Sequence, residues 1–168
     1  MPLSLKSKMK NIKIKTLKLD KFNDFYQVFE TSLLTDFNHF SKSQKQVFLN
    51  SVWRKNIFLK RFNRGFMVVF RASFNDKTRG YLIASLEPGG VSLLRWIWVD
   101  KKQRNKNMGT KLINFWQKWA LKQKCHKLNV KAVAKNKGFY QKQGFVNEGV
   151  RKKDQFLKDY FLLRKVIK

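Results

Sequence analysis

A chain of 168 residues that is 43% hydrophobic and 15% aromatic, with 16 Phe and 5 Trp, has the apolar mass for one packed domain and too much for a disordered segment. Its charge is lopsided: 38 Lys and Arg stand against 10 Asp and Glu, a formal +28, a field that draws in polyanions and small anionic ligands. The single cysteine, Cys125, excludes an internal disulfide and a cysteine-built metal centre, and His39 and His126 have no partner at ligand spacing, so no metal is expected.

Met1 to Lys10 reads as a basic flexible leader without the apolar core of a signal peptide. Asn11 to Leu19 alternates Ile12, Ile14, Leu17 and Leu19 with lysines, the pattern of a half-buried strand. Asp20 is an N-cap type opening a helix to about Leu34 on Phe22, Phe25, Tyr26, Phe29 and Leu33. After a connector, Ser41 or Ser43 caps a second helix running to about Arg61, with Val47, Phe48, Val52 or Trp53, Ile57 and Leu59 inward. The period then changes to that of strands. Phe66 to Ala72 and Gly80 to Leu86 are joined by the turn residues Asn75, Asp76 and Lys77, and Pro88-Gly89-Gly90 leads into a third strand. That strand, Leu93 to Val99, is almost continuously apolar, as when both faces are covered. A basic loop, Asp100 to Asn107, precedes a helix to about Lys124 carried by Met108, Leu112, Ile113, Trp116, Trp119 and Ala120. Leu128 to Ala134 is a strand, and a strand reached through a helix lies parallel to the one before. A short helix over Asn136 to Gln143 stops at Gly144; Phe145 to Glu148 is a strand, Gly149 to Lys158 a loop, and Tyr160 to Ile167 the last strand. No stretch is long and apolar enough to span a membrane, so a soluble cytoplasmic protein without a membrane partner is expected, as one domain over residues 11–168.

The chemistry concentrates where the apolar strand meets the basic loop. A strand–loop–helix aims free backbone N–H groups and the positive end of a helix dipole at one point, an anion site suited to phosphate. Its sequence, Arg104-Asn105-Lys106-Asn107-Met108-Gly109-Thr110, resembles the R/Q-x-x-G-x-G/A signature of the GNAT superfamily of N-acetyltransferases. Arg104 and Gly109 match; Asn107 replaces the middle glycine, and Asn is the residue after glycine that best tolerates positive φ. Gly138-Phe139-Tyr140-Gln141-Lys142-Gln143-Gly144-Phe145 resembles the superfamily's F-Y-x-K-x-G-F element, at the right distance from the first motif. The order β-α-α-β-β-β-α-β-α-β-β resembles the GNAT arrangement over residues 11–167. The implied fold is α/β (α+β), a mixed, mostly antiparallel sheet of about seven strands flanked by about four helices.

The resemblance implies acetyl-coenzyme A as co-substrate. Backbone groups of Trp98 and Val99 would hold its pantetheine arm, and Arg104, Asn105, Lys106, Asn107, Met108, Gly109 and Thr110 its pyrophosphate. Tyr140 matches the residue that protonates the departing thiolate as general acid. Many relatives keep a glutamate base on the central strand; Leu93 to Arg95 offer none, so Glu87 is the first choice, with Glu30, Asp36 and Glu148 the other acids to consider. A lysine amine titrates near ~10.4 and an α-amine near ~7.7–8, so deprotonation at neutral pH costs ~4–5 kcal/mol for the first and ~1 for the second. A site short of carboxylates therefore suits the N-terminal α-amine of a protein or peptide, and the basic field suits an acceptor near RNA or the ribosome. Two other readings stay open, a small-molecule amine as acceptor and a catalytically idle nucleic-acid-binding module.

Overall fold

The computed structural model describes residues 12–168, and the basic leader lies outside them. Seven strands form one sheet in the order β1-β2-β3-β4-β5-β7-β6. They are β1 (Lys13–Thr16), β2 (Met67–Phe74), β3 (Lys77–Glu87), β4 (Val91–Val99), β5 (Lys127–Ala132), β6 (Val146–Arg151) and β7 (Tyr160–Val166). Five α-helices cover its faces: α1 (Phe22–Asp36), α2 (Lys42–Leu49), α3 (Lys55–Asn63), α4 (Met108–Lys122) and α5 (Ala134–Lys142).

Strand periodicity builds two cores. Along β2 and β3, Val69, Tyr81 and Ile83 face α1 and α3, joining Phe22, Phe25, Phe29, Leu33, Phe58 and Trp96. The alternate residues Phe70, Leu82 and Ala84 face α4 and α5, joining Leu112, Trp116, Leu128, Tyr140 and Phe145. A buried chain of hydrogen bonds pins α4 to the central hairpin. The Trp116 indole N–H donates to Ser92 Oγ at 2.9 Å, and that hydroxyl donates to the Ser85 carbonyl at 3.0 Å.

The sheet is antiparallel except for β4 and β5, which run parallel over the short register Val91↔Lys127 to Leu94↔Val130 and then part. The parting begins where β4 carries an extra residue. Ile83 pairs with Trp96 and Ala84 with Leu94, so Arg95 has no partner on β3, and such a bulge bends its strand.

Several sequence expectations are corrected. Asp20 does not cap α1; it sits in a short 3₁₀ turn, Leu19–Lys21, and Lys21 occupies the cap position without a side-chain bond. The expected second helix is two. Ser41 caps α2 through a capping box with Gln44, but the helix stops at Asn50 and restarts after Arg54. The break lets Leu49, Trp53 and Phe58 all reach the core; of the alternatives Val52 and Trp53 it is Trp53 that is inward, whereas Val47 and Ile57, expected inward, are exposed. The Tyr26 hydroxyl donates to the Trp53 carbonyl at 2.9 Å, satisfying a group that the break leaves open. Phe66 lies outside β2 and is exposed, α5 starts at Ala134, and β6 continues through Arg151, into the segment expected as loop.

Candidate active site

Beyond Leu94 the β5-facing edge of β4 has no strand partner. The Asp100 amide donates to the Arg79 carbonyl at 2.8 Å, and the Trp98 carbonyl lies 3.0 Å from where a Cβ on Gly80 would stand. Both therefore face β3. By the alternation of a ladder, Ile97 and Val99 turn their N–H and C=O groups toward the gap. This corrects the expected role of Trp98, whose main chain belongs to the sheet. Its indole stacks on Tyr81 and donates to Asp36 Oδ2 at 2.7 Å. Ile97 was missed because the facing of backbone groups depends on the bulge, which leaves no mark in the sequence.

Past β4, a 3₁₀ turn over Lys101–Gln103 is tied to the Asp100 carboxylate, and the chain then enters the loop before α4. Asn105 and Asn107 both take left-handed φ of 59°, the conformation for which glycine or asparagine is suited. No close, well-aligned backbone hydrogen bond runs from the amides of Asn105 through Thr110, and Asn107 makes no side-chain cap. These amides, at the positive end of α4, form an open cluster of donors, which fits a diphosphate. The two expected side-chain cations are engaged elsewhere. Arg104 donates from Nε to the Val99 carbonyl at 3.0 Å and stands 3.6 Å from Asp36, and Lys106 donates to the Lys102 carbonyl at 2.8 Å. Asp36 thus braces the loop, gathering Trp98, Arg104 and Lys101, the last at 3.4 Å. Burial alone would raise its carboxyl; the bonds from Trp98, Lys101 and Thr35 hold it below the usual range.

The two sequence motifs meet. A Cβ on Gly109 would stand 3.0 Å from the Phe139 ring, and Gln143 donates to Thr110 Oγ1 at 3.0 Å. Phe139 packs edge-on against Tyr140, and Tyr140 against Phe145. Burial pushes the Tyr140 phenol well above its ordinary value, so it keeps its proton at neutral pH.

The gap between β4 and β5 opens into a cavity of about 800 Å³ that Tyr140 lines. Its walls bring together Leu94 to Ile97, Val130 to Val133, the α1–α2 connector with His39, and Phe156 between β6 and β7. Three buried polar atoms on residues lining it have no hydrogen-bond partner: Trp96 Nε1, Asn129 Oδ1 and the Tyr160 hydroxyl. Buried polar groups without partners are uncommon. His39 is held neutral, its pKa lowered to about 4 by burial and by Lys135, Lys158 and Lys45. Glu87 is not in the walls. It lies opposite Val91, at the hairpin end of β4, where it accepts from Ser85 and pairs with Arg95 at 3.1 Å. Glu148 does line the cavity but is shared by Lys127 and Arg164. Among the described residues, no three His, Cys, Asp or Glu converge as a metal site.

Residues 63–147, which contain both motifs and the parting strands, match the family model of the GNAT acetyltransferase domain. The chain belongs to the GNAT acetyltransferases. No curated protein matches it at the sequence level. Solved structures of the GNAT fold do. PaiA N-acetyltransferase from Thermoplasma acidophilum, in complex with coenzyme A, superposes with a TM-score of 0.76 at 16% identity, over 93% of this chain and 99% of that one. A probable acetyltransferase from Staphylococcus epidermidis gives 0.77 at 15%, over 94% and 99%. The ribosomal-protein-S18-alanine N-acetyltransferase of Escherichia coli gives 0.69 at 17%, over 93% and 94%. At these identities the likeness is one of fold. GNAT acetyltransferases use acetyl-coenzyme A as co-substrate, and in this chain the open amides, the parted strands and the apolar gap fit it. No described helix is long and apolar enough to cross a membrane.

Proposed function

We propose that this GNAT acetyltransferase transfers an acetyl group from acetyl-coenzyme A to the N-terminal α-amine of a protein or peptide, in the cytoplasm and close to RNA. The observation that carries the reading is the parting of β4 from β5 between an open amide cluster and a cavity short of free carboxylates. Bound acetyl-coenzyme A supplies an activated thioester carbonyl. The amides of Asn105 through Thr110 hold its diphosphate, and the gap-facing backbone of Ile97 and Val99 lines up the arm. The cavity lined by Trp96, Asn129 and Tyr160 receives the acceptor amine. The Tyr140 hydroxyl gives its proton to the departing sulfur.

The base role does not suit Glu87, held by Ser85 and Arg95 away from the cavity walls. Nor does it suit His39, whose depressed basicity makes it a hydrogen-bond acceptor rather than a proton sink. An α-amine needs only ~1 kcal/mol to lose its proton at neutral pH, within reach of a water relay. A thiol-release assay with mass mapping tests the reading. A peptide with a free N-terminus should be acetylated there; a peptide blocked at its N-terminus but carrying lysines should not. Preference for lysine side chains or for small amines over peptides would overturn it.

A further inference from the structure

Between Asp100 and Glu148 the chain contains thirteen Lys and Arg and not one Asp or Glu. That run is the loop before α4, then α4, β5 and α5; Lys101, Arg104, Lys127 and Lys131 pair with acids outside it, and both helices pack on the same face of the sheet. They lie side by side, joined by the Gln143–Thr110 bond and by Lys165, which donates to both Gln117 and the Gln143 carbonyl. The acidic residues are elsewhere: Asp24, Glu30 and Asp36 on α1, and the rest in the β-hairpins and loops. On the opposite face α2 and α3 also lack acids, but α1 beside them carries three, whereas α4 and α5 have no acidic neighbour on their face.

On α4 the buried stripe is Met108, Leu112, Ile113, Trp116 and Ala120. The opposite stripe is Lys111, Asn114, Lys118 and Lys122, with Lys124 just beyond, all exposed. None of these four lysines has a carboxylate within ion-pair distance among the described residues. Helix dipoles do not explain the pattern. They favour cations in the last turn, but they equally favour acids in the first turn, and neither α4 nor α5 has one. The phosphates of the co-substrate account for charge near Gly109, not for Lys118 to Lys124, which begin nine residues further along the helix, ~13 Å at 1.5 Å per residue.

We propose that the α4–α5 face is a docking surface for the phosphate backbone of RNA. A bilayer is the poorer fit, because a helix lying in a membrane surface needs an exposed apolar stripe. Every large exposed hydrophobic side chain lies outside α4 and α5. The sides of two helices lying flat on a sheet offer phosphate contacts and no element to enter a base-reading groove, so the contact is independent of sequence. The choice of RNA over DNA rests on the proposed acceptor, a protein terminus met near RNA.

The test is binding of a 20-base-pair RNA hairpin by anisotropy across a salt series. Three proteins are compared, each first shown to bind acetyl-coenzyme A: wild type, K118E/K122E/K124E, and K55E/K60E/R64E. The last carries the same charge change on exposed positions of α3 and its C-cap, Arg64, on the opposite face. The α4 variant should bind at least tenfold more weakly, with the log–log salt slope reduced by about 2–3, and the α3 variant should stay near wild type. Equal losses in both variants would reduce the effect to net charge and overturn the proposal. So would tighter binding to duplex DNA of the same length or to vesicles containing anionic lipid. The acetylation assay is independent of this one, so a localised RNA contact with no peptide acetylation would sink the acceptor reading and leave the face in place.

Discussion

Tyr140 is nine-tenths and more enclosed, packed between Phe139 and Phe145, and it lines the cavity as the one phenol of the second motif. Burial keeps it protonated, the state in which a proton donor must wait. Positioned acid catalysis is typically worth ~10²–10⁴-fold, so Tyr140→Phe should lower kcat by at least ~10²-fold while acetyl-coenzyme A affinity, measured by calorimetry, stays unchanged. Unchanged kcat would remove Tyr140 from the chemistry. His39 gives a second test at this scale. Its pKa falls from 6.5 to about 4 in the fold, so between those values the unfolded chain binds the proton and the folded one does not. Stability is then fully present above pH 6.5 and is lost as pH falls toward 4. His39→Gln, neutral throughout, should flatten that part of the stability–pH curve in denaturant melts; an unaltered slope would show that the imidazole is not held neutral. Tyr140 could be proposed from the sequence because a local motif carries it. Trp96, Asn129 and Tyr160 could not, because each looks like an ordinary strand residue until the strands that part are known.

The elements were legible to the degree that their signals are local. Alternation, or for β4 a continuous apolar run, marked the strands, and the loop before α4 announced itself through Arg104 and Gly109. The second helix misled because Val47, Val52 and Ile57 sustain a helical period across a break that only the core demands. Packing of Leu49, Trp53 and Phe58 outweighs the continuity of backbone hydrogen bonds. Asn107 is the clearest case of an element depending on one conformation. It stands at φ 59° immediately before Met108, and through it the chain turns its amides outward. An L residue pays about 1–2 kcal/mol in this region, asparagine less and glycine almost nothing. Asn107→Gly should therefore leave stability within about 0.5 kcal/mol and hold coenzyme A as well as wild type. Asn107→Val should destabilise by about 1–2 kcal/mol and weaken coenzyme A binding, since a β-branched residue resists positive φ. Calorimetry and denaturant melts read both. Equal affinity in the valine variant would mean that the loop does not need this turn to present its amides.

At the scale of the molecule the excess charge is a load on the fold. Of the acids, Asp36, Glu87, Asp100, Glu148, Asp154 and Asp159 are already within ion-pair distance of a cation, and several of them serve two. Most Lys and Arg are left to repel one another across a small surface, and a net charge of +28 makes that repulsion oppose compaction. Two opposed effects follow from added salt. Screening weakens the ion pairs, but these are exposed or half-buried, and an exposed pair contributes at most ~1 kcal/mol. Screening also relieves repulsion among many more cations, over a Debye length that shrinks to ~10 Å at 0.1 M. The second effect involves more charges and should win. The thermal midpoint should rise between about 20 mM and 300 mM sodium chloride, by ~2–4 °C for each kcal/mol of repulsion relieved. K118E/K122E/K124E should start from a higher midpoint at low salt and gain less from the same addition, because it removes cations from the face where no acid offsets them. A midpoint that falls with salt in the wild type would show that the ion pairs around Asp36 and Glu148, rather than the unpaired lysines, dominate the electrostatics of this fold.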